Sequence, residues 1–176
     1  MLETSSWFAI ETRPRCEKLV GNILENKGYE LFLPLYKSRR RWSDRIKELD
    51  LPLFPGYLFC RLSPQQRTLP LLTTPWVRQI VGIGRTPVPI PDQEIAAVQA
   101  ILKSGLLARP WPFLKVGQCI RINYGPLEGL EGILIATRKQ FRFVVSVEML
   151  QRSVAVELDG AWVEPSSAQV YAASAS

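Results

Sequence analysis

Residues 53–62 read LFPGYLFCRL, with Phe54-Pro55-Gly56-Tyr57 at their head, and they follow the most polar stretch of the chain, 37–47, KSRRRWSDRIK. A run so rich in aromatic and aliphatic residues reads as a strand. Alternate strand residues share a face, so Tyr57, Phe59 and Arg61 point one way and Leu58, Cys60 and Leu62 the other. The second set is core. The first ends in a charge, which predicts a partly open face with two aromatic anchors for a partner; on composition alone, packing beneath a loop is an equal reading. The polar block holds six basic residues and one acid and reads as a basic hairpin or loop projecting from a sheet. Arg39, Arg40, Arg41, Arg45 and Lys47, with Trp42 among them, suit phosphates and an unpaired base. The plainer reading of such a run is a solvated charged loop.

Working towards the amino terminus, residues 7–10 (WFAI) form a short buried strand closed by Thr12-Arg13-Pro14. A helix is predicted over 15–27, with Leu19, Val20, Ile23 and Leu24 on one face and Lys27-Gly28 ending it. Arg13, Arg15 and Lys18 gather at its start, where the helix dipole opposes cations and free N–H groups attract anions, so they point to another use. Residues 29–36 read as a strand. On the other side, a loop or short helix follows Pro64, a strand covers 77–81, and Asp92 caps a helix over 93–104 with Ile95, Val98, Ile101 and Leu102 as its stripe. The predicted order is βαββ(α)βα.

Residues 107–113 (LARPWPF) carry two prolines within three positions and mark a boundary. Beyond it, residues 119–123, 132–136, 141–147 and 154–158 are short β-branched or aromatic runs, which predicts a small all-β barrel of about five strands over 112–163. The Ser- and Ala-rich end from 165 is expected to fray.

Composition narrows the chemistry. The chain has 176 residues, 47% hydrophobic and 22% charged, with a net charge of +6, enough for one ordinary core or two small ones and a bias towards acidic partners. The positive excess lies in residues 1–108, with 15 basic against 10 acidic residues; the remainder has 7 against 6. With no histidine, Ser/His/Asp and Cys/His catalysis and His-ligated metals are excluded. Cys16, Cys60 and Cys119 are far apart and form no C-x-x-C pair, as expected for buried thiols in a reducing compartment. No apolar run approaches the roughly 20 residues of a membrane span, so a cytoplasmic protein with no membrane partner is expected.

Two segments carry a family resemblance. Phe54-Pro55-Gly56-Tyr57-Leu58-Phe59 after a basic hairpin resembles the amino-terminal domain of NusG-type transcription elongation factors. Residues 116–122 (VGQCIRI), running into 125–132 (GPLEGLEG), resemble the KOW motif of their carboxy-terminal domain. Trp7-Phe8-Ala9-Ile10 and Arg13-Pro14-Arg15-Cys16-Glu17-Lys18 are similar to that family's first strand and helix start. The basic insertion is more similar to the operon-specific antiterminators, RfaH among them, than to the housekeeping factor.

The resemblance implies an α+β protein: an amino-terminal α/β sandwich with a mostly antiparallel sheet and flanking helices (1–106), a linker (107–113), a small SH3-like KOW barrel (114–165) and a flexible tail (166–176). It implies a monomer that binds the clamp helices of RNA polymerase, suppresses pausing or termination, and recruits a ribosomal protein or Rho through the KOW domain, without enzymatic activity, metal or cofactor. The implied polymerase contacts are Phe54, Tyr57, Phe59 and Ile80, with Arg67 and Thr68 facing the opposite side of the cleft, where Leu69 and Pro70 depart from the family's polar pattern. Arg13 would meet the non-template strand, with Arg15 and Lys18 beside it as further nucleic-acid contacts, and Arg39, Arg40, Arg41 and Arg45 would lie near upstream DNA. Phe141 and Phe143 would meet the KOW partner; barrel core is an equal reading of both. The valine-rich runs favour strands, so refolding of this barrel into helices is not expected. The alternative is a KOW-containing RNA- or ribosome-binding protein without polymerase affinity.

Overall fold

The computed structural model describes residues 5–42, 45–113, 117–136 and 141–158; the predicted tail, 166–176, lies outside them. The chain divides into two compact units, Met1–Ile95 and Ala96–Ser176. It is an α+β protein: among the described residues the α-helices lie before residue 104, and strands follow it, with one 3-10 turn at Glu148–Leu150.

The first unit is built on an antiparallel four-stranded sheet with strand order β2-β5-β1-β6, from β1 (Ser6–Thr12), β2 (Glu30–Phe32), β5 (Tyr57–Leu62) and β6 (Val77–Ile80). Helix α1 (Glu17–Asn26) and the single turn α2 (Leu69–Leu72) cover one face. There Ile10, Leu58, Cys60, Leu62 and Ile80 from the strands meet Val20, Leu24 and Leu71 from the helices. The alternation in residues 57–62 is as predicted. The expected strand at 29–36 is two pieces, because Pro34 has no N–H to continue a ladder. Its carbonyl accepts the Leu53 N–H at 2.9 Å, and β3 (Leu35–Trp42) starts a new sheet with β4 (Arg45–Pro52). A small hairpin follows, β7 (Gly82–Ile83) and β8 (Thr86–Pro87), before α3 (Asp92–Lys103). Asp92 lies inside this helix rather than capping it, and the Pro91 carbonyl accepts the Glu94 N–H.

The second unit, which takes in α3 from Ala96 on, is built on a five-stranded antiparallel sheet, β10-β11-β12-β13-β9, from β9 (Ala108–Pro112), β10 (Gln118–Arg121), β11 (Glu131–Ala136), β12 (Phe141–Val147) and β13 (Arg152–Leu158). Residues 108–112, inside the stretch read as a linker, are a strand paired with β13. Pro110 and Pro112 are tolerated because β9 is an edge strand, where a missing N–H breaks no second ladder. Among the described residues no helix is long and apolar enough to cross a membrane.

Candidate functional site

Three proline turns meet at one end of the four-stranded sheet, where β1 finishes and β5 and β6 begin. In Phe54-Pro55-Gly56-Tyr57 the Tyr57 N–H closes on the Phe54 carbonyl at 3.0 Å, in Arg13-Pro14-Arg15-Cys16 the Cys16 N–H on Arg13 at 3.1 Å, and in Thr74-Pro75-Trp76-Val77 the Val77 N–H on Thr74 at 3.2 Å. Proline second and a positive φ third is the type II pattern, which asks for glycine in third place. Gly56 obliges, at φ 86, but Arg15 (φ 68) and Trp76 (φ 67) hold the same conformation with side chains, at about 1–2 kcal/mol each. The turns are stitched together: the Thr12 N–H donates to the Gly56 carbonyl at 2.8 Å and the Arg13 N–H to the Trp76 carbonyl at 2.9 Å.

Glu17 completes the stitching. Its carboxylate is buried, and Oε1 accepts the Gly56 N–H at 2.7 Å, so the first residue of α1 fixes the turn that presents Tyr57. Replacing Glu17 by leucine leaves that N–H unsatisfied in the interior and is expected to cost about 1–3 kcal/mol. Glu17→Gln keeps an acceptor and should cost clearly less; urea unfolding midpoints of the two variants check this.

Beside the turns lies a layer of aromatic rings on the face of the sheet away from α1. Phe59 packs edge-on to Phe54 at 5.4 Å and stacks on Phe32 at 6.0 Å, Phe32 meets Trp7 at 6.4 Å, and the Arg61 guanidinium lies 5.9 Å over Trp7. Phe54 and Phe59 are both 0% exposed, so the expected open face is closed at these positions. The cause is cross-strand: Phe59 sits opposite small Ala9 on one side and Phe32 on the other, which makes room for the ring and then covers it. Ile80 is opposite Ile10, shares that residue's face and belongs to the α1-side core, so it is not on the surface with Tyr57. Tyr57, half-buried, remains at the rim. Cys60 is no candidate nucleophile: burial, and then the Glu30 carboxylate, push its thiol up to about 12.

The basic block is the β3–β4 ribbon. Lys37 pairs with Asp50 at 3.0 Å and Arg39 with Glu48 at 2.9 Å; the hydrogen bond from Lys37 to Asp50, then the Asp50 charge, raises the Lys37 pKa. Further out, Arg40 is opposite Lys47, Arg41 opposite Ile46 and Trp42 opposite Arg45. The charge without an acid across the ladder therefore lies towards the tip, where Arg41, Arg45 and Lys47 are exposed. The side chains of Arg40 and Trp42, and residues 43–44, lie outside the described residues. Arg67 and Thr68 are exposed just before α2, and the Tyr29 hydroxyl donates to the Arg67 carbonyl at 2.7 Å.

A family model described as transcription termination factor nusG matches residues 5–99. The chain belongs to the NusG family. It is similar to the transcription termination/antitermination protein NusG of Escherichia coli (strain K12), 31% identical over 154 residues, which cover 84% of this chain and 80% of that protein. The protein of the same name from Buchnera aphidicola subsp. Baizongia pistaciae is 32% identical over 151 residues, covering 82% and 78%. A solved structure of Thermotoga maritima NusG, a study of its domain interaction, shares the fold at TM-score 0.54 and 22% identity over 90% of this chain and 96% of that one.

In the second unit of this NusG-family chain, Phe143 is 0% exposed and Phe141 half-buried. A Cβ on Gly132 would meet the Phe143 ring at 2.6 Å, so glycine is what leaves room for the ring there, and Phe143 is core. Two residues of the site went unread in the sequence. Glu17 carried a signal, since it sits on the same helical stripe as Val20, Gly21 and Leu24, all buried. Trp76 carried none, because a tryptophan argues against the turn it occupies.

Proposed function

We propose that this NusG-family chain is a transcription elongation and antitermination factor that binds the clamp helices of RNA polymerase through residues 1–106. Tyr57 is the anchor, the residue type that dominates such contacts, with Phe54 and Phe59 bracing it from beneath and Arg67 and Thr68 reaching the opposite side of the cleft. Arg13, Arg15 and Lys18 meet nucleic acid at the turns, and Arg39, Arg40, Arg41 and Arg45 meet upstream DNA along the ribbon. The second unit, with residues 108–112 as an edge strand of its sheet, acts as a KOW domain that recruits a ribosomal protein or Rho, with Phe141 as its contact. The observation that carries the reading is the fixed placement of Tyr57 by Thr12 and Glu17, in a family whose relatives are named as transcription termination/antitermination proteins.

Binding of the full chain to purified bacterial RNA polymerase tests it. Tyr57→Ala is expected to weaken binding about 30-fold, the effect of losing a hot spot of about 2 kcal/mol, with little loss of fold. Reversing Arg39, Arg41 and Arg45 to glutamate should spare polymerase affinity and reduce crosslinking to upstream DNA. Equal affinities of Tyr57→Ala and wild type would refute the anchor, and RNA binding without polymerase binding would favour the RNA- or ribosome-binding alternative.

A further inference from the structure

Arg67 and Thr68 end the loop that leads into α2, a helix of four residues in which only Leu71 is buried. So short a helix does not hold itself, because one turn fixes several dihedrals in exchange for very few hydrogen bonds. Thr68 stands where a capping hydroxyl would help, yet it makes no cap bond. The turn is fastened instead from the far end of α1. The Tyr29 hydroxyl donates to the Arg67 carbonyl at 2.7 Å, the Lys27 ammonium donates to the Pro70 carbonyl at 2.9 Å and to the Thr74 hydroxyl at 2.7 Å, and that hydroxyl donates in turn to the Pro70 carbonyl at 2.9 Å. We propose that Lys27 and Tyr29 are positioning residues for the polymerase contact, holding residues 67–70 so that the Arg67 and Thr68 side chains are presented together to the opposite side of the cleft. The inference rests on the reading of Arg67 and Thr68 as polymerase contacts and names what aims them.

The fastening spares the side chains that do the binding. Lys27 and Tyr29 engage main-chain carbonyls and the hydroxyl of buried Thr74. Arg67 and Thr68 stay exposed, and among the described residues no acid lies within ion-pair distance of Arg67. Carbonyls at a helix end have no partner within the helix, so the Pro70 carbonyl is available to lysine, and a charged donor makes the stronger bond. The Tyr29 ring belongs to the α1-side core, and its N–H donates to the Leu24 carbonyl at 3.1 Å. Burial raises the pKa of its phenol above the ordinary 10.0, so it keeps its proton and remains a donor throughout the neutral range. The loop is thereby tied to the rigid scaffold before any partner arrives, and groups ordered in advance lose less freedom on binding.

The test uses the full chain. Amide exchange at Leu72 and Thr73, whose N–H groups donate to the Thr68 and Leu69 carbonyls at 3.0 and 2.9 Å, reads the fastening in the free protein. Tyr29→Phe keeps the ring and removes the donor, and is expected to speed that exchange about fivefold, the worth of one hydrogen bond. Affinity for purified bacterial RNA polymerase is then measured in two backgrounds, wild type and Arg67→Ala/Thr68→Ala. Tyr29→Phe should weaken binding about fivefold in the first, where the loop must now be ordered at the moment of contact, and Lys27→Met should do the same. Neither should have an effect in the second background, where no contact remains to be aimed. Equal weakening in both backgrounds would mean that Tyr29 and Lys27 support the fold in general, and the positioning role is overturned. It is equally overturned by unchanged exchange at Leu72 and Thr73, or by wild-type affinity of Tyr29→Phe while Arg67→Ala/Thr68→Ala binds weakly; the cleft contact itself then stands. If Arg67→Ala/Thr68→Ala binds as wild type does, the cleft contact falls and its positioning residues fall with it, whereas the anchor at Tyr57 is judged by its own variant.

Discussion

Phe59→Ala is expected to destabilise the first unit by about 3–5 kcal/mol, the range for removing a fully buried phenylalanine. That is a large share of the roughly 5–15 kcal/mol that holds a typical domain. The ring is completely enclosed, it stacks on Phe32 and meets Phe54 edge-on, and each neighbour belongs to a different segment of the chain. Relaxation into the cavity would have to move three backbones at once, so little of the loss is recovered. Urea unfolding followed by tryptophan fluorescence should show the lower midpoint. A change below about 1 kcal/mol would mean that Phe59 is a surface anchor after all, in which case polymerase affinity would fall without any loss of stability.

Phe143→Ala should do the same to the second unit, again by about 3–5 kcal/mol. This sheet is small and its apolar interior is correspondingly limited. Phe143 is fully buried, pairs with Val156 across β13 and Leu134 across β11, and lies against the bare backbone of Gly132. Amide exchange in β10 to β13 reads the effect directly: protection should collapse towards that of an unfolded chain. Retained protection together with failure to bind a partner would place Phe143 at an interface.

The same alternation that made residues 57–62 legible as a strand also left its exposure undecided. Period two assigns faces, but what covers a face comes from distant segments, here Trp7 and Phe32, which no local pattern reports. Ile80 failed for a related reason, since its face depends on register with Ile10. Proline marked the turn at Arg13-Pro14, but residues 53–56 read as part of a strand that begins only at Tyr57, and the left-handed Arg15 and Trp76 run against turn preferences, so only the folded chain reveals the three turns together. Pro110 and Pro112 were legible as punctuation; that they punctuate an edge strand follows from the sheet order alone.

Among the described residues the ribbon of β3 and β4 shares no ladder with the four-stranded sheet. Eight residues on each strand at about 3.3 Å per residue carry it roughly 26 Å, with its two outward ion pairs near the root and its uncompensated charge beyond them. Adding or deleting two residues on each strand would keep every side chain on its present face, whereas a single-residue change in one strand would invert those beyond it. Descendants of this chain can therefore change how far the arm extends, and what it carries at its end, in even steps that leave the core untouched. The length of the arm and the chemistry of its end can thus vary independently of the scaffold that carries it.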